Sequence, residues 1–186
     1  MNEDNFTREG KDPHARKDTS PFLDAIFKSF YETGEYSEAD IRDEINTMVF
    51  TGSDTVATAL TFLFLMLATF PDIQNQVYEE LYDMYGSSDP KDVPITMEDT
   101  KIMKYLERVI KETLRLFPPA PLFGRTLYRD AKAQIFAMTK MKAIAATVLR
   151  KFIVQIDEPV PVENVNLKFN IIAKPAETIF LRFKKR

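Results

Sequence analysis

The sequence has no cysteine. That excludes a disulfide framework, a zinc–thiolate site and a cysteine nucleophile. It has one histidine, His14, in a stretch dense in charge. A single histidine there supports neither a cluster of histidine ligands nor a Ser-His-Asp triad in a structured site. No glycine-rich phosphate loop, P-loop or metal motif is present. Residues 1–20 carry no apolar run, so they are expected to be a disordered polar tail, not a signal peptide or membrane anchor. The basic cluster at the end, "RFKKR", reads as a solvated chain end. With a net charge of −3, nothing points to a nucleic-acid partner.

What is present looks globular. Of 186 residues, 45% are hydrophobic and 28% charged, which suits one domain with a real core. Phe22, Ile26 and Phe30 recur at helical spacing, and Gly34 ends that run. A long central helix is predicted over 37–70. Ser37 and Asp40 resemble a capping box at its start, and Pro71 follows its end. Thirty-odd residues at 1.5 Å each give a helix of roughly 50 Å. No residue from Thr55 to Phe70 is charged. A membrane span is one reading, though the stretch is short for that; a buried central helix is the preferred one.

A second helix is predicted over 72–85. A third covers 101–117, with Ile102, Leu106, Val109, Ile110, Thr113 and Phe117 on one face. A fourth covers 133–151, with Ile135, Met138, Met141 or Lys142, Ala145 and Leu149 in register. Strands are expected within 152–184, and "LKFNIIA" and "TIFLRF" flank "KPAE" as a hairpin would. The fold class is mainly α with a small C-terminal β-sheet (α+β).

Two features invite a functional reading. The first is "TGSDTV", Thr51 to Val56, four small or polar residues inside an apolar helix. Glycine there costs about 1 kcal/mol against alanine. One explanation is helix contact: Gly52 and Ala57 admit a neighbour, and threonine hydroxyls bond back to carbonyls four residues earlier. The other is a bent helix lining a pocket, with Asp54 and Thr55 facing a ligand or water. The second feature is the E-x-x-R pair Glu112 and Arg115. Taken alone it belongs to a solvated ladder with Glu107–Lys111 and Arg108–Glu112.

In order along the chain, "TGSDTV", "ETLRLFPPAP", "PLFGRTLYRD" and "AQIFAMTKMKAIAATVLRKF" resemble the C-terminal half of a microsomal-type cytochrome P450. The resemblance implies a partial cytochrome P450 fold. It implies that Gly52 leaves room for dioxygen on the helix over the haem face. Thr55 would help deliver protons to bound oxygen, with Asp54 as its acidic neighbour. Arg125 would contact a haem propionate, and Glu112 and Arg115 would be structural. Thr51 departs from the usual Ala or Gly, and Val56 from a common second Thr or Ser. The implied cofactor is haem, and the implied partners are a lipophilic substrate and a reductase at the endoplasmic reticulum membrane.

One segment of that pattern is missing. Between "TLYRD" and "AQIFAMTK" the family carries several dozen residues, including the haem-ligating cysteine and a further arginine of the Glu-Arg-Arg network. Here Ala131, Lys132 and Ala133 stand alone, a deletion junction at about 130–134. The expectation is a monooxygenase relative without its axial cysteine, and therefore inactive. The alternative is a non-catalytic fragment that meets a partner or a membrane surface through an uncovered apolar face, cytosolic or peripherally bound.

Overall fold

The computed structural model describes residues 21–34, 36–86, 93–122 and 136–186. The predicted tail, Arg125 and the junction at 130–134 lie outside the described residues. The chain divides into two compact units, Met1–Val49 and Phe50–Arg186.

In the first unit, α1 spans Phe22–Thr33 and ends on Gly34 at φ 64°, a left-handed position open to glycine, whose N–H donates to Phe30 O. Helix α2, Glu38–Thr69, begins here. Its capping box is formed: Ser37 N–H donates to Asp40 Oδ2 at 2.8 Å, and Asp40 N–H to Ser37 Oγ at 3.2 Å. Those bonds from Ser37 hold the Asp40 carboxyl below its ordinary range.

The second unit is built around the rest of α2. From Val56 onward α2 is buried nearly all round. Leu60, Leu63 and Leu67 join a core with Val77, Leu81, Leu106, Ile110 and Leu149, while Phe62, Leu65 and Met66 join a second one with Phe117. Full burial of each leucine contributes roughly 2 kcal/mol relative to exposure. By length and composition α2 also passes as a membrane span, but 44% of its most apolar window is buried in protein.

Helix α3 spans Pro71–Tyr85, with proline in its first turn. Its buried Gln74 acts as a two-sided clamp. The side-chain amide donates to Leu67 O and Val154 O at 2.8 Å each, and its carbonyl accepts from Val154 N–H at 2.8 Å. A buried amide is tolerable because both its ends are satisfied.

The helix predicted over 101–117 is two helices, α4 Met97–Ile102 and α5 Lys104–Leu116, broken at Met103 with ψ 79°. The break has a cause in α3. Glu80 reaches over and accepts the N–H groups of Tyr105 at 2.6 Å and Leu106 at 2.9 Å, so a carboxylate caps a new helix start. Helix α4 has its own capping box between Thr96 and Asp99. Because Ile102 belongs to the other helix, it does not share the apolar face assigned to it and is 59% exposed.

Helix α6 spans Phe136–Lys151. Both candidates for its inward position, Met141 and Lys142, are buried. Lys142 Nζ donates to Thr100 O at 2.7 Å and Glu107 Oε2 at 2.6 Å, joining α6 to α4 and α5.

The C-terminal strands form two small antiparallel pairs, not one sheet. Strand β1, Phe152–Gln155, pairs with β4, Arg182–Lys185; β2, Leu167–Phe169, pairs with β3, Ala173–Pro175. The expected hairpin around "KPAE" is thus corrected: the turn lies between Phe169 and Ala173, and Lys174 and Pro175 belong to β3. Phe183 supplies the reason for β4. It sits edge-on to Phe64 and to Phe152, which anchors β4 beside β1.

Candidate functional site

The "TGSDTV" segment is a continuous stretch of α2. Thr55 Oγ1 donates to Thr51 O at 2.7 Å, and Thr61 Oγ1 to Ala57 O at 2.9 Å. These are the back-bonds expected of helical threonines. The neighbour expected against Gly52 is not there: among the described residues, a Cβ at Gly52 meets nothing within 4 Å, and Ala57 is exposed.

Two lysines from distant parts of the chain reach this stretch instead. Lys174 of β3 holds Asp54 Oδ1 at 2.8 Å, and Lys140 of α6 donates to Gly52 O at 3.2 Å. The β2–β3 hairpin is further tied to the proline turn after α5, where Ala173 N–H donates to Pro119 O at 2.8 Å. The arrangement brings α2, the Pro118–Ala120 turn, β3 and α6 together around Thr55.

Thr55 lines a pocket of about 290 Å³ with Val56, Ala59, Leu114, Ala137 and Met141 among its walls. Thr55 supplies its polar side chain; the other walls are apolar or proline. Asp54 is turned to Lys174 instead. Val56 and Ala59 of α2 share one apolar core with Met141 and Ala145 of α6.

Glu112 and Arg115 form a bidentate ion pair on α5. Arg115 Nε donates to Glu112 Oε2 at 2.8 Å and its terminal nitrogen to Oε1 at 2.7 Å. The side chains are 58% and 66% exposed, respectively, so the pair contributes little to stability. Its hydrogen bonds lower the Glu112 carboxyl below its ordinary range and raise the Arg115 guanidinium. The predicted Arg108–Glu112 rung is not formed; Arg108 lies over the Tyr105 ring, 5.5 Å from its centroid. The Glu107–Lys111 rung is formed, at 2.6 Å. Lys111 first, then Lys142, hold the Glu107 carboxyl down at about 2. Arg125 lies outside the described residues.

Among the described residues no group of three or more His, Cys, Asp or Glu side chains is placed to hold a metal ion. The sequence reading missed Lys174, Lys140 and the Glu107–Lys142 link. A lysine at an apolar register position was the signal for Lys142. The contact between Asp54 and Lys174 spans 120 residues and leaves no local trace.

A mainly helical core around a long central helix, with the E-x-x-R helix and proline turn against it, defines a class. The sequence profile of the family described as Cytochrome P450 matches residues 3–134. The chain belongs to the cytochrome P450 family. Over 140 residues it is 40% identical to Cytochrome P450 4V2 of Mus musculus, covering 74% of this chain and 26% of that protein. It is 41% identical over 115 residues to Cytochrome P450 4c21 of Blattella germanica, covering 62% of this chain and 22% of that one. The fold is also that of a crystal structure of a cytochrome P450, CYP102L1. The TM-score is 0.65 at 21% identity, over 81% of this chain and 47% of that chain. The chain thus spans about a quarter of the length of these curated relatives. The profile match begins within residues 1–20, earlier than the segments that carry the resemblance, and ends at residue 134.

Proposed function

We propose that this chain is a non-catalytic member of the cytochrome P450 family. It retains the oxygen-side helix and the E-x-x-R helix but assembles no haem–thiolate centre. The observation that carries this reading is the lack of any cysteine. In this family a cysteine thiolate holds the iron and supplies the electron density that favours O–O cleavage.

The residues around Thr55 do not fit that group. Among the described residues the lining offers one sulfur, the Met141 thioether, and no cation for a propionate. The hollow between Val56 and Ala59 of α2 and Met141 of α6 measures about 290 Å³, below the roughly 300–1,000 Å³ of pockets for drug-sized ligands, and a macrocycle needs at least that. Thr55 and Asp54 are also engaged, by Thr51 O and by Lys174. Arg125 keeps the propionate role only in the family's pattern.

A full-length relative is read as a haem-dependent monooxygenase. It would insert one oxygen atom into a lipophilic substrate, with electrons from a reductase at the endoplasmic reticulum membrane. This chain is read as having lost that reaction. A peripheral contact with a membrane surface or a partner is the second reading. It is favoured by α1, which exposes Phe22, Leu23 and Phe27 at 41%, 47% and 42%.

The test is turnover. The full chain is supplied with haem, a P450 reductase, NADPH, air and a lipophilic probe. The expected result is no oxidised product above the control without protein. Protein-dependent product overturns the reading.

A further inference from the structure

A second cavity lies away from Thr55, between the C-terminal end of α2, the start of α3 and one side of α5. It measures about 430 Å³. Met66, Phe70, Ile73, Val109 and Leu116 give it an apolar floor and walls, and Arg108 stands at its rim. The charges there are unequal. Glu112, the carboxylate on the rim, has both oxygens taken by Arg115. Arg108 meets no carboxylate among the described residues and only lies against Tyr105. Among the described residues the rim therefore carries one guanidinium without a carboxylate partner, beside an apolar hollow.

We propose that this groove binds a compact aromatic carboxylate. The ring would enter between Phe70, Val109 and Leu116, and the carboxylate would take the guanidinium of Arg108. A planar fork of donors suits a carboxylate bidentately, and it suits a neutral amide poorly. The volume lies within the range of small-molecule pockets, about 300–1,000 Å³. This site is independent of haem and of the reading given above for Thr55.

The test uses the full chain and two probes of the same shape, 1-naphthaleneacetate and neutral 1-naphthaleneacetamide, followed by calorimetric titration. The acid is expected to saturate, and the amide to bind roughly five- to tenfold more weakly, the range for a partly exposed charged hydrogen bond. Arg108→Gln is exposed and leaves the core intact. It is expected to bring the acid down to the amide's affinity without changing the amide. Val109→Trp, which fills the hollow, is expected to weaken both probes, with unfolding monitored by circular dichroism. Equal binding of acid and amide, or an Arg108→Gln chain that still prefers the acid, overturns the proposal. So does the absence of saturable acid binding.

Discussion

Lys142 gives a prediction whose outcome depends on direction as well as size. Its side chain is 5% exposed, and its ammonium rests on Thr100 O at 2.7 Å and Glu107 Oε2 at 2.6 Å. Lys142→Met removes the charge while keeping most of the volume. It also relieves the cost of burying an ammonium. Glu107 is not orphaned, because it keeps Lys111 and is 25% exposed. The loss is therefore modest, about 1–2 kcal/mol. Glu107→Gln does the opposite. It leaves a buried ammonium with a carbonyl and a neutral amide, at a cost of about 3 kcal/mol or more. The double variant should cost less than the two singles added, because the second change removes what the first left unpaired. Urea unfolding followed by far-UV circular dichroism measures all three. A Lys142→Met loss larger than that of Glu107→Gln, or simple additivity, would refute the reasoning.

The same carboxylate sets an acid dependence. Glu107 is held at about 2, well below its ordinary 4.5, by Lys111 and then Lys142. A depressed carboxyl stabilises the fold above its unfolded pKa. That contribution, on the order of 1–3 kcal/mol, is lost as pH falls from about 4.5 toward 2. Urea midpoints taken from neutral pH down to about 3 should fall, and Glu107→Gln should flatten that fall. Gln74→Leu should cost about 2–4 kcal/mol by leaving the backbone of Val154 and Leu67 O unsatisfied, read in the same assay. Gly52→Ala should stabilise the chain by roughly 0.5–1 kcal/mol, because the position is helical and open. A loss on Gly52→Ala would mean that the glycine does have a close neighbour.

Local signals carried far in this sequence. Ser37 and Asp40 marked the start of α2, and Gly34 the end of α1, because caps are made by residues a few positions apart. The back-bonding of Thr55 followed from helix geometry alone. Long-range contacts were not legible. The break at Met103 depends on Glu80, more than twenty residues away, although Thr96 and Asp99 repeat the Ser37–Asp40 pattern and point to the earlier start of α4. The strand partners depend on Phe183 finding Phe64 and Phe152, an aromatic choice that alternation cannot express. At the candidate site, the segments around Gly52, Asp54 and Thr55 and around Glu112 and Arg115 reached the family only in order with "PLFGRTLYRD" and "AQIFAMTKMKAIAATVLRKF". The lysines that occupy Asp54 and the Gly52 carbonyl come from β3 and α6, and only folding brings them there.

The central claim is that this P450 frame holds no thiolate-bound iron. Its most direct test is a spectrum: purified chain, equimolar haem, dithionite and carbon monoxide. The account predicts no thiolate-type Soret band and a haem spectrum that matches free haem in the same buffer. A thiolate-type band, or stoichiometric haem uptake that survives gel filtration, would contradict it.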